Sequence, residues 1–261
     1  MRIIDFHAHI YPEKIAEKAV ENVGKFYLMK MLGDGTVNTL IENGKKVGVN
    51  RFVVHSPALS PTQVLSINDS ITNECAVHSE LLGFGTLHAF MENPAAEIAR
   101  VKSLGLGGIK IHPDSQRFDL DCDEMMEIYA ILEKEELPVL FHTGDYRYDY
   151  SHPRRLLRVI REFPKLTCIA AHFGGWSVFD LAVEYLLDTS CYLDISSSMS
   201  FLGPRRSREL IELYTPNRML FGSDYPMWTP ESELEKFNAL GFDEKARELI
   251  LYRNAETILK I

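Results

Sequence analysis

The sequence predicts a single (β/α)8 barrel of the TIM type, an α/β fold, on three observations. Short apolar runs rich in strand-forming residues recur eight times along the 261 residues. Helical periodicity fills the gaps between them, and side chains able to bind a metal stand where the runs end. Alternating strands and helices imply a parallel sheet with helical crossovers, and eight repeats in about 260 residues is the length such a barrel takes.

In order, the predicted strands are 2–8, 51–55, 82–88, 107–112, 138–142, 166–171, 191–195 and 218–222. They are apolar and mostly free of interior proline, as strands buried on both faces should be. The long first crossover, about 12 to 48, reads as two helices broken at Gly33-Asp34-Gly35. Ser60-Pro61, Asn93-Pro94 and Thr229-Pro230 each place a capping side chain before a proline at the first helical position. In 121–135, Met125, Tyr129 and Leu132 share a face away from Glu124, Glu127 and Glu135; in 177–187, Val178, Leu181, Ala182, Tyr185 and Leu186 form a second stripe. No linker, repeat or low-complexity stretch marks a second domain, so 1–261 reads as one barrel domain. A doubly wound open sheet would carry a glycine-rich loop after an early strand, whereas the first strand here ends in HAHIYP.

Composition narrows the function. With 28 basic against 37 acidic residues, the net charge is −9, and the absence of a basic stripe argues against nucleic acid. No run approaches the ~18 apolar residues of a membrane span, and MRIIDFHAHIYP lacks the apolar core of a signal peptide. Cys75, Cys122, Cys168 and Cys191 show no C-x-x-C spacing, as expected of reduced thiols in a cytoplasmic protein. The expected partner is a small-molecule substrate.

The chemistry begins at His7 and His9. In a strand, residues i and i+2 point to the same side, so the two imidazoles form a claw for a metal such as zinc. The bland reading, two histidines on a solvated edge strand, would require burying both without partners once the barrel closes. His142 in LPVLFHTG, His172 in LTCIAAHFGG and Asp224 in RMLFGSDYP end later strands. Seven of the nine histidines fall at such ends; His78 and His152 are the exceptions. Thr143-Gly144 permits close approach beside His142. Asp224, at the end of a buried strand, needs a cation or several donors, so ligand or base is favoured over helix cap. His7, His9, His142 and Asp224 then fill a mononuclear site, and His172 is left as an acid or base beside it.

Lys110 and His112 in GGIKIHP share a strand face. The lysine would contact substrate or a carboxylate, or bridge two metals as a carbamate; His112 would touch substrate or pack on Pro113. Arg147, among Tyr146, Tyr148 and Tyr150, is either a carboxylate clamp or a solvent-exposed loop residue. Trp228 walls the pocket or packs, and His55 and His88 line it or are hydrogen-bonded structure. Three imidazoles favour zinc, while manganese and iron also fit such a donor set. A metal there lowers the pKa of bound water, and His172 or Asp224 would accept the proton as water attacks a carbonyl.

DFHAHIYP, GFGTLHAF, GGIKIHP, FHTG, AHFGG, YLDISS and FGSDYP, in that order, resemble the amidohydrolase superfamily. Within it they are most similar to the amidohydrolase-2 branch, which contains aminocarboxymuconate-semialdehyde decarboxylase and many metal-dependent hydrolases. The resemblance implies a distorted (β/α)8 barrel with one divalent ion, usually zinc, at the C-terminal face of the strands. His7, His9, His142 and Asp224 would hold it, and His172 would position or deprotonate its water. Dinuclear branches add a strand-four lysine and the strand-six histidine, here Lys110 and His172, and homodimers are common among such barrels. The expected function is hydrolysis of a C–N or C–O bond in an amide, lactone or ester. The alternative is non-oxidative decarboxylation of an unsaturated or aromatic acid, whose enzymes in this branch carry longer insertions. A non-catalytic binding barrel would be expected to lose a ligand, and none of the four is missing.

Overall fold

The computed structural model describes residues 2–261. Its strands are β1 (Ile4–His9), β2 (Arg51–His55), β3 (Leu81–Gly83), β4 (Gly85–Thr86), β5 (Ile109–Ile111), β6 (Val139–Phe141), β7 (Cys168–Ala170), β8 (Tyr192–Asp194) and β9 (Met219–Leu220). The helices are α1 (Glu13–Tyr27), α2 (Val37–Lys46), α3 (Val64–Val77), α4 (Pro94–Ser103), α5 (Pro113–Gln116), α6 (Asp123–Lys134), α7 (Pro153–Glu162), α8 (Phe179–Leu186), α9 (Met199–Tyr214), α10 (Pro230–Ala239), α11 (Glu244–Glu248) and α12 (Asn254–Leu259). The alternation of strand and helix is the predicted one. The chain forms two compact units, Met1–His55 with Glu74–Leu82 and Ile195–Ile261, and Ser56–Asn73 with Gly83–Asp194.

In the first unit β1 runs parallel to β2, with Ile4 opposite Arg51 and His9 opposite His55, and the register shifts between Asp5 and Ala8. The segment after β9 follows the other edge of β1. Phe6 N–H donates to Phe221 O at 2.8 Å, Asp224 N–H to His7 O at 2.7 Å, and His9 N–H to Tyr225 O at 2.7 Å. Phe6, Ala8, Phe52, Val53, Val54 and Phe221 are fully buried around this pairing, so apolar burial fixes which side of β1 each histidine takes. The predicted break between the first two helices lies at Asp34, whose carboxylate accepts from Thr36 N–H at 2.9 Å, Thr39 Oγ1 at 2.7 Å and Tyr225 Oη at 2.8 Å.

In the second unit β4 to β8 pair in chain order. The ladder is parallel, with Gly85 opposite Ile109, Ile109 opposite Val139, Val139 opposite Cys168 and Ile169 opposite Tyr192. β5, β6 and β7 are buried throughout, which explains the unbroken apolar sequence of β6 and β7, while β5 carries Lys110 at its centre. Gln116 ties the loops beyond them together: its Oε1 accepts from His112 N–H at 2.8 Å, and its Nε2 donates to Ala58 O at 2.9 Å and Leu87 O at 2.8 Å.

Three local expectations need correction. The run 82–88 is split at Phe84 into β3 and β4. Asn93 and Thr229 cap their helices through Ala96 N–H and Ser232 N–H, but Ser60 precedes a 3₁₀ turn without capping it and instead pairs with Thr62 Oγ1. Of the predicted stripe on α8, Ala182 and Leu186 are buried while Leu181 is exposed, so the helix presents a narrower face than its composition suggests. Among the described residues, no helix is long and apolar enough to cross a membrane.

Candidate metal centre

β1 delivers His7 and His9 as its two-residue period requires, with their Nε2 atoms 3.3 Å apart. Asp224 Oδ1 lies 3.3 Å from His7 Nε2 and 3.4 Å from His9 Nε2. Three donor atoms from one unit thus form a nearly equilateral triangle. Tetrahedral bonds of about 2.0–2.1 Å put ligand atoms about 3.3 Å apart, so the triangle has the dimensions of one face of such a site. Hydrogen bonding serves it less well. Two Nε2 atoms bring at most two protons to three edges, whereas one cation serves all three corners. His55, fully buried at the end of β2, places its ring 4.5 Å from that of His9 and 5.0 Å from that of His7. Its donor atom is within 4.8 Å of theirs.

The backbone around the triangle is held by Asp5, fully buried on the same strand. Asp5 Oδ1 accepts from His7 N–H at 3.1 Å and Ser223 N–H at 2.9 Å, and Oδ2 accepts from Ser223 Oγ at 2.5 Å. These donors satisfy a carboxylate that would otherwise be costly to bury. Asp224 itself lies in the left-handed region, φ 56°. Burial, reinforced by the Asp224 charge, holds the Tyr11 phenol well above its usual pKa. Glu233 on α10 is fully buried and pushed up to about 7 by burial, against the pull of Lys236 at 2.6 Å. Trp228 donates Nε1–H to Ser197 Oγ at 2.9 Å, and Lys236 Nζ lies 4.3 Å from its ring centroid.

The second unit gathers His112, His142 and His172. The His112 and His142 rings stack at 3.9 Å and 7°. His142 Nδ1 is 3.1 Å from His172 Nε2, and His142 Nε2 is 3.5 Å from Asp114 Oδ2. Burial, opposed by a hydrogen bond from Ser151 and reinforced by Asp145, pushes the Asp114 carboxyl up to about 7. His172 donates its backbone N–H to Asp194 Oδ1 at 3.0 Å. His172 and Phe173 have φ of 59° and 54°, a left-handed pair of the kind that concentrates at functional positions. Gly144 has φ 77°, and a Cβ there would stand 2.6 Å from the Gly175 backbone, so the close approach read from Thr143-Gly144 is real. Lys110 is fully buried in β5. Arg147 directs Nε and Nη2 to Asp145 at 2.9 and 2.6 Å. Its guanidinium is engaged with a neighbour in its own loop.

The sequence-predicted residues therefore fall into two groups: His7, His9 and Asp224 meet in one unit, and His112, His142 and His172 meet in the other. Arg147 and Trp228 sit in separate local networks. Sequence reasoning missed Asp5, Asp114, Asp194, Ser196, Ser223 and Glu233. Asp5 had a signal, since it lies two residues before His7 on the same strand. Ser196 had none, because its partner His7 is 189 residues earlier.

A sequence model described as Amidohydrolase matches residues 4–261. Decarboxylase orsB of Emericella nidulans is 24% identical, with 89% of this chain and 87% of that protein covered. An uncharacterized TIM-barrel protein from Bordetella bronchiseptica superposes with a TM-score of 0.81 at 19% identity, over 100% of this chain and 99% of that one. A probable 2-pyrone-4,6-dicarboxylic acid hydrolase from Acinetobacter baumannii gives 0.74 at 16% identity, covering 100% of both chains. A dihydroxybenzoic acid decarboxylase from Polaromonas sp. JS666, with bound manganese and an inhibitor, gives 0.75 at 15% identity, over 99% and 96%. At these identities the structures establish the fold, which is the TIM barrel predicted from sequence.

Proposed function

The chain belongs to the Amidohydrolase family, and we propose that it is a metal-dependent hydrolase acting on a C–N or C–O bond of a small amide, lactone or ester. The observation that carries this reading is the triangle of His7 Nε2, His9 Nε2 and Asp224 Oδ1, with edges of 3.3–3.4 Å. Those atoms suit one divalent ion; zinc is the first candidate, and manganese and iron suit the same donors. When bound, the ion supplies Lewis acidity, polarising a carbonyl and bringing the pKa of coordinated water toward 7.

The protein's own share is orientation and proton transfer. Asp5 holds the His7 and Ser223 backbone so that the three donors converge. A carboxylate oxygen of Asp224 or an imidazole nitrogen of His172 takes the proton as the O–H of water breaks and its oxygen joins the carbonyl carbon. The same group returns that proton to the departing nitrogen or oxygen. Lys110, His112, Arg147 and Trp228 are the proposed substrate contacts. The small-molecule substrate, a homodimer and a cytoplasmic location complete the proposal.

Decarboxylation is the second reading, favoured by the likeness to Decarboxylase orsB over most of both chains. The C–C bond breaks, CO2 leaves, and a proton from the same acid takes its place on carbon. Panels of lactones, amides and aromatic acids separate the two: acid release from lactones or amides supports hydrolysis, and CO2 as the sole product overturns it.

Metal content tests the ligand set. About one equivalent per chain is expected, lost in His7→Ala. His142→Ala should lose it as well if the sequence expectation of a fourth ligand holds; unchanged content removes His142 from the set. About two equivalents would bring in Lys110 and His172.

A further inference from the structure

We propose that Ser196 is a positioning residue that fixes the tautomer and ring orientation of His7. The consequence for metal affinity rests on the metal-site reading above. To offer a lone pair from Nε2, a neutral imidazole must carry its proton on Nδ1. His7 Nδ1 lies 3.2 Å from Ser196 Oγ, and a hydroxyl can accept that proton. Ligand histidines are oriented by such a partner on the opposite nitrogen, and its loss typically weakens metal binding 10–100-fold.

The contact is built into the fold from several sides. Ser196 is fully buried, and Ser198 Oγ donates to its carbonyl at 2.9 Å. A Cβ on Gly222 would stand 2.8 Å from His7 Cβ and 3.2 Å from Ser196 Cβ, so the two side chains approach across a position that only glycine leaves open. Ser197 follows in the left-handed region, φ 54°. Its Oγ accepts from Trp228 Nε1 at 2.9 Å, and the same hydroxyl points to Met227 Sδ at 3.0 Å.

The test is metal affinity by chelator competition with zinc and cobalt(II), read beside the cobalt absorption spectrum and the melting temperature of the metal-free protein. Ser196→Ala should weaken affinity 10–100-fold and alter the cobalt spectrum. The metal-free melting temperature should drop by no more than the few degrees one buried hydrogen bond accounts for. Ser196→Ala removes only a hydroxyl, so a folded chain remains for the measurement. Wild-type metal binding that His7→Ala abolishes but Ser196→Ala leaves within about threefold overturns this inference while the metal reading stands. A wild-type chain that binds neither metal overturns both.

Discussion

Glu233 sits where burial holds its carboxyl at about 7 rather than at 4.5. Between those values the folded chain binds a proton that the unfolded chain has released, so stability falls as pH rises through that window and levels off above it. That difference corresponds to roughly 3 kcal/mol. Glu233→Gln removes the titration and keeps the shape. Urea unfolding from pH 4.5 to 7.5 should show the wild type losing up to about 3 kcal/mol more than the variant. The histidines of the candidate centre are the same in both proteins, so the difference isolates Glu233; parallel profiles would place the titration elsewhere. Asp5 is the contrasting case, a buried carboxylate with three donors on its two oxygens, where Glu233 is paired with Lys236.

At the scale of elements, the centre depends on β1 lying between β2 and the 221–225 segment. His9 faces His55 across one edge, and His7 O receives Asp224 N–H across the other. A one-residue slip would turn both imidazoles away from Asp224. Gly222 is the point where that packing is tightest, with a Cβ there falling 2.8 Å from His7 Cβ. Gly222→Ala should cost about 1–3 kcal/mol through overpacking, seen as a lower urea midpoint, and should weaken metal binding by displacing the His7 ring. A variant with wild-type stability and affinity would show that the strand end yields freely.

At the scale of the whole molecule, the family match spans residues 4–261 and so covers both compact units. A metal bound only by the folded chain stabilises it by mass action, by about 2.7 kcal/mol at a hundredfold excess over Kd. For a chain of this length that is roughly 5–10 °C in melting temperature. Chelation should remove that increment, and restoring zinc or manganese should return it; an unchanged melting temperature would count against the site.

Much of this was legible in the sequence because it depends on short-range periodicity. The two-residue period of a strand puts His7 beside His9, and alternating apolar runs and helical stripes carry the order of the strands and their intervening helices, with β3 and β4 read as a single run. The Gly33-Asp34-Gly35 break and the Asn93 and Thr229 caps are equally local. What escaped depended on distant partners. Ser196 reaches a histidine 189 residues earlier, and Ser223 meets Asp5 across 218. Ser60 and Leu181 had the right chemistry for a cap and a buried stripe, but their surroundings used them otherwise. The sequence by itself determined the strand order and the barrel class, because those follow from periodicity and side-chain chemistry. Only the tertiary structure decided that Asp224 closes a 3.3 Å triangle with His7 and His9, that Arg147 is engaged with Asp145, and that a serine loop backs His7, because packing sets distances between residues that sequence separation leaves free.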